Sequence, residues 1–250
     1  MHFGLDTGLS VGFSINPENA QKLGLPVTDH HTIHTSDRQE VPGKATDFVR
    51  AATLTVAGRT FTEPEGVTLQ DTHRDGTLGI ALFRDVLLTL DYPHDLLSIA
   101  DGALPPPNGH DVIAYTTDPN ATLRPLRVTP TVMIQLAGQA LPALLDTGAR
   151  KLNADLIVPT RVAATLPLGP TESTIVLSDA VGNKFPSRTA RLTGDMILGE
   201  VVLHNPTVLV SDWLGFIDLA RVSNLLVLTI DQRNLRLRIA MPNAVPSVAQ

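Results

Sequence analysis

The sequence predicts an all-β protein built from two related lobes with only short helices between strands. Three observations lead there. Strand-like runs separated by tight turns dominate both ends of the chain. A motif, Leu-Asp-Thr-Gly, occurs at residues 5–8 and again at 145–148. A second, Leu88-Thr89-Leu90-Asp91, is echoed by Leu228-Thr229-Ile230-Asp231 at the same offset of 140 residues. Two unrelated motifs repeating in one register are the mark of a duplicated unit.

The individual elements follow from local chemistry. Residues 128–136 form a β-rich run, Ala137-Gly138-Gln139 a turn, and 140–145 the return strand. Residues 51–56 and 60–62 flank Ala57-Gly58-Arg59 in the same way, and 225–230 and 235–239 flank Asp231-Gln232-Arg233-Asn234. Asn16-Pro17-Glu18 reads as a helix start and Gly24 as its stop. Between the two halves, residues 101–125 carry Pro105-Pro106-Pro107, Asn108-Gly109 and Asp118-Pro119-Asn120. That density disfavours helix and central strand. The expected domains are therefore 1–100, a Pro-rich linker at 101–124, and 125–250.

Composition narrows the function. With 43% hydrophobic residues among 250, the chain can bury a sizeable core, and with 4% aromatics that core must be aliphatic. A net charge of −6 and no cluster of Lys and Arg argue against nucleic acid as a partner. The absence of cysteine excludes disulfides, thiolate catalysis and Cys-ligated zinc. No apolar run reaches the ~20 residues of a membrane-spanning helix, and residues 1–4 are not a signal peptide. The expected compartment is the cytoplasm for the chain as written, or the periplasm or exterior if a signal segment precedes it.

The repeated Asp points to a specific chemistry. If two related lobes meet about a two-fold axis, the same element of each reaches the axis, and Asp6 meets Asp146. Two carboxyls in contact cannot both ionise, so they share one proton; aspartic proteases are the established example of this effect. One can then act as a general base on a water and the other as a proton donor, with neither metal nor cofactor. Gly8 and Gly148 allow close backbone approach, and Thr7 and Thr147 are hydroxyls able to bond across the axis. His30, His31 and His34 could suggest a metal, but ligation needs more groups in fixed geometry, and they read as a solvated loop. Asp91 and Asp231 read as turn caps, Asn120-Ala121-Thr122 as a chance sequon, and Trp213 as packing.

On these motifs, together with Asn16-Pro17, Lys22-Leu23-Gly24-Leu25 and the run from Gly76-Thr77-Leu78-Gly79 to Asp91-Tyr92-Pro93, the chain resembles the retropepsin-like and pepsin-like aspartic peptidases. It is most similar to bacterial aspartyl-protease-family proteins with two lobes in one chain. The resemblance implies closed β-barrel lobes, catalytic Asp6 and Asp146, and support from Thr7, Gly8, Ser10, Thr147 and Gly148. It also implies hairpin flaps over an extended peptide or protein substrate, one within 29–44 including Ile33, the other near 178–185 including Gly182 and Phe185. A monomer with pseudo-dimeric lobes is expected.

The chain departs from the family pattern in three places, of which the first two motivate an alternative, a decayed peptide-binding or scaffold protein on the same fold. Ala149-Arg150 follows the second motif where the first has Leu9-Ser10. Asp218 aligns with Gly79. Only five residues precede Asp6, against the 19 of 127–145 before Asp146, so the first lobe is expected to lack its opening strand and to expose an edge that could pair with a second copy.

Overall fold

The computed structural model describes residues 1–34, 42–117, 128–148, 153–179 and 181–241. Strands far outnumber helices among the described residues, which makes the protein mainly β. The first part holds β1 (Phe3–Asp6), β2 (Phe13–Ile15), α1 (Pro17–Lys22), β3 (Val27–Ile33), β4 (Lys44–Arg50), β5 (Thr53–Val56), β6 (Arg59–Thr62), β7 (Glu65–Thr68), β8 (Gly76–Gly79), β9 (Leu87–Asp91) and β10 (Leu96–Ala100). The rest holds β11 (Val112–Ala114), β12 (Thr131–Leu136), β13 (Gln139–Leu144), β14 (Leu156–Val158), α2 (Thr160–Ala163), β15 (Ser173–Ser178), β16 (Lys184–Arg191), β17 (Asp195–Leu198), β18 (Val201–His204), β19 (Thr207–Val210), β20 (Ile217–Asp218), β21 (Val227–Asp231) and β22 (Arg236–Ala240).

Local rules explain the turns. β5 turns into β6 through Ala57 and Gly58, with φ of 46° and 79°, and β12 into β13 through Ala137 and Gly138, with φ of 48° and 80°. Two consecutive positive φ values match the twist of a two-residue hairpin, and Gly takes the second at no steric cost. In α1, Pro17 occupies the first turn beside Glu18, Lys22 lies in the last turn, and Gly24 follows with φ of 63°. Each choice suits its end of the helix.

The sheets are ordered in a way the sequence motifs only hint at. One six-stranded sheet runs β1-β8-β2-β7-β4-β3. Within a nine-stranded sheet the order β13-β20-β14-β19-β16-β15 recurs, continued beyond β13 by β12-β17-β18. Successive pairs run parallel, antiparallel, parallel, antiparallel and antiparallel in the first sheet and in the same sequence in the second. β2 and β14 are each flanked on both sides and are apolar or buried at every residue, as an enclosed strand must be. β12 covers the outer edge of β13, where Ala143 is fully buried; Phe3 and Leu5 of β1 are only partly buried.

A third sheet, β10-β9-β21-β22-β11, joins the halves. β9 and β21 pair antiparallel with Thr89 opposite Thr229, Leu88 opposite Ile230 and Leu90 opposite Leu228. Leu88, Leu228 and Ile230 are fully buried in one aliphatic cluster that also takes in Phe83, Ile134, Leu145 and Leu237. Complete burial of each such side chain stabilises the fold by about 1.5–3 kcal/mol. Part of the stretch read as a linker belongs to this sheet. β11 pairs with β22, and Leu104 N–H donates to Asp231 Oδ2 at 2.9 Å. β11 lies at the edge of the sheet, and the buried, apolar Val112 anchors it.

Candidate functional site

Asp6 ends β1, and Asp146 stands just beyond β13. Both follow an apolar strand that runs parallel to its neighbour, β8 or β20. Beyond each Asp the chain turns sharply, and the Gly two residues on donates its N–H to the Asp Oδ1, at 2.7 Å for Gly8 to Asp6 and 2.7 Å for Gly148 to Asp146. These bonds fix one oxygen of each carboxyl.

The two turns lock into each other. Thr7 N–H donates to Thr147 Oγ1 at 3.1 Å, and Thr147 N–H donates to Thr7 Oγ1 at 3.0 Å. Thr7 Oγ1 in turn donates to the carbonyl of Leu145. Both threonines are 0% exposed, so these bonds form out of reach of competing water. The glycines complete the approach. A Cβ on Gly148 would lie 2.5 Å from Asp6 Cγ, and one on Gly8 would lie 2.7 Å from Asp146 Cγ. No real Cβ tolerates such contacts, so each carboxyl rests against the bare backbone of the opposite turn.

The two carboxyls are therefore neighbours, hydrogen-bonded to each other and only partly exposed. Burial pushes the Asp146 carboxyl well above the usual carboxylate range. The charges of Asp6 and then Asp218 add to this, as does the hydrogen bond with Asp6, while the Gly148 N–H pulls the other way. Two carboxyls in such contact oppose each other's ionisation.

Asp218, read from the sequence as the counterpart of Gly79, stands elsewhere. Ser14 of β2 pairs with Thr77, and Ile157 of β14 pairs with Asp218. By register Asp218 matches Thr77, because the second half is one residue shorter before its closing hairpin. It is 0% exposed, and its carboxyl is pushed up to about 7 by burial, partly offset by the Ala220 N–H and reinforced by Asp6. An acid inside the apolar run Phe216-Ile217-Asp218-Leu219 was the signal available in the sequence.

The remaining predicted residues fall into place around the pair. Ser10 is partly buried in the loop after Asp6, whose path is set by Leu9 N–H to Asp6 O at 3.2 Å and Ile80 N–H to Leu9 O at 3.1 Å. Arg150 lies outside the described residues, as does the tip of the β3–β4 hairpin at 35–41. Ile33, at the end of β3, packs with Val11, Phe48 and Val67. In the β15–β16 hairpin the Asp179 carboxylate accepts N–H bonds from Val181 at 3.0 Å and Asn183 at 2.8 Å, and Gly182 takes φ of 96°. Asn183 Nδ2 also donates to the carbonyl of Pro42 at 2.9 Å, which links the two hairpins. Phe185 is 8% exposed and faces inward, in a cluster with Ile157, Leu177, Leu209 and Trp213.

His30 pairs with Asp47 at 2.7 Å and His31 with Asp29 at 2.6 Å, all on an exposed hairpin face. Asp91 caps its turn by accepting from His94 N–H, and Asp231 accepts from Leu104 and Asn234. Among the described residues no group of three or more His, Asp or Glu is arranged to hold a metal ion, and no helix is long and apolar enough to cross a membrane. Comparison with known proteins finds no matching family model and no matching curated protein.

Proposed function

We propose that this chain is an aspartic endopeptidase of the retropepsin-like type, with two lobes related by a pseudo-two-fold axis and Asp6 and Asp146 as its catalytic pair. The observation that carries this reading is the reciprocal lock of Thr7 and Thr147, which sets two neighbouring carboxyls against the opposite Gly148 and Gly8. The matching strand order of the two large sheets supports the two-lobe reading.

The chemistry follows from the unequal pair. Asp146 keeps the shared proton because burial and its acidic neighbours raise its affinity. Asp6 then acts as the carboxylate. It takes a proton from a water as the water oxygen attacks the scissile carbonyl carbon, and Asp146 gives its proton to the carbonyl oxygen. When the tetrahedral intermediate collapses, the C–N bond breaks and the amine leaves with the proton held by Asp6, while the hydroxyl proton returns to Asp146. An extended peptide lies beneath the β3–β4 and β15–β16 hairpins, whose contact through Asn183 and Pro42 would close over it.

The test is hydrolysis of a mixed peptide library across acid and neutral pH, with cleavage products read by mass spectrometry. Asp6→Asn and Asp146→Asn should each abolish cleavage while leaving the fold intact. Retained activity in either variant rules out the shared pair. Tight binding of a statine-type transition-state analogue by a parent protein that never cleaves would instead make it a peptide-binding scaffold.

A further inference from the structure

Asp218 is not part of the duplicated motif, and the reaction above does not use it. β20 is wedged between β13 and β14, with Asp218 opposite Leu144 on one side and Ile157 on the other. Side chains alternate faces along a strand, so Asp218 shares the face of Leu144, to which Asp146 returns two residues later. Its Oδ1 accepts the Ala220 N–H at 2.7 Å. Its Oδ2 is buried and has no hydrogen-bond partner among the described residues. A buried carboxylate oxygen without a donor is costly when charged. Among the described residues, the charge of Asp6 across the site makes ionisation harder still, Ile157 on β14 is apolar, and Asp146 beyond β13 is itself an acid, while the Ala220 amide on the same turn favours the charged form by donating to Oδ1.

We propose that Asp218 is a third, proton-holding member of the site, a positioning residue that keeps the shared proton on the Asp146 side of the pair and retains it there to higher pH. This rests on the reading of Asp6 and Asp146 as the reacting pair. Asp218 is neutral while the pair works in acid. As pH rises Asp218 ionises, and its negative charge makes release of the neighbouring Asp146 proton less favourable. Its midpoint near neutrality fits that sequence of events. The singly protonated pair then survives beyond the pH at which two carboxyls alone would lose it.

The experiment is a carboxyl-carbon NMR titration of aspartate-labelled protein from about pH 3 to about pH 9, run beside the pH profile of kcat/KM. Asp218→Asn keeps an acceptor for the Ala220 N–H and removes the charge. Asp218→Thr installs the residue type that Thr77 supplies at the same register, should the Asn variant fail to fold. In either variant the Asp146 resonance should titrate at lower pH than in the parent. The alkaline limb of kcat/KM should move the same way, lowering kcat/KM at neutral pH roughly threefold to tenfold. An Asp146 resonance that stays in place in the folded variants overturns the proposal, as does an Asp218 resonance in the parent with an ordinary carboxylate midpoint. A shifted resonance beside an unmoved limb removes Asp218 from the reaction. If the parent cleaves nothing, the peptidase reading fails on its own, and the titration alone decides whether Asp218 governs the pair.

Discussion

Thr89 and Thr229 stand opposite one another in β9 and β21, with their hydroxyls 3.0 Å apart. They are separated by the same 140 residues as Thr7 and Thr147, which exchange backbone-to-hydroxyl bonds at the carboxyl pair. One contact lies in the sheet that joins the halves, the other in the site. Two self-matching contacts at one offset are what the proposed two-lobe reading requires.

The lock at the site should matter for both stability and activity. Thr7→Val keeps the shape of the side chain but removes the acceptor of the Thr147 N–H and the donor to Leu145 O. A buried N–H left without a partner costs about 1–3 kcal/mol, readable as a lower urea midpoint with an unchanged slope. kcat should fall more than tenfold, and Thr7→Ser, which restores the hydroxyl, should recover most of it.

The raised carboxyls make stability fall as pH rises. Asp218 binds its proton more tightly folded than unfolded, because burial lifts it to about 7, whereas an unfolded Asp releases its proton near pH ~4. Its contribution is therefore fully present below the unfolded value and is lost as pH climbs through the folded one. Asp146 acts in the same direction. Differential scanning calorimetry should show Tm declining between about pH 4 and about pH 7 from these groups, with a shallower decline in Asp218→Asn. A Tm–pH slope identical in the two proteins would contradict the buried-acid geometry.

Asn183 reaches both Asp179 in its own hairpin and the Pro42 carbonyl in the other. Asn183→Ala removes both bonds without touching the carboxyl pair. KM for a cleaved peptide should rise a few-fold, on the order of the ~0.5–1.5 kcal/mol of one or two hydrogen bonds, with kcat little changed. Limited proteolysis should also cut the hairpin faster. Unaltered KM would mean the linked hairpins do not hold substrate.

Much of this was legible in the sequence because the motifs are short and their chemistry is local. Asp-Thr-Gly at 6–8 and 146–148 needs nothing beyond a turn to place a carboxyl, and Ala-Gly at 57–58 and 137–138 marks its hairpins through φ alone. What escaped depends on register and distant contacts. Asp218 was matched to Gly79 because a one-residue difference between the halves hides in an ungapped comparison; strand pairing puts it at Thr77. Phe185 lies in a strand of mixed polarity, Lys-Phe-Pro-Ser-Arg-Thr, where only neighbours decide which residues face inward. β11 was hidden by the prolines ahead of it, since its three apolar residues gain their reason only from β22.

The lock between Thr7 and Thr147 also has a temporal meaning. Contacts 140 residues apart in sequence close late, because a long loop must be ordered before they form. Asp6 is made before its partner turn around Asp146, and the strand β21 that fastens the halves follows later still. Until both turns have been made, a nascent chain carries half of a site. Whatever the pair does, it begins only once both turns and the joining strands have been made, so the order of translation itself acts as a safeguard.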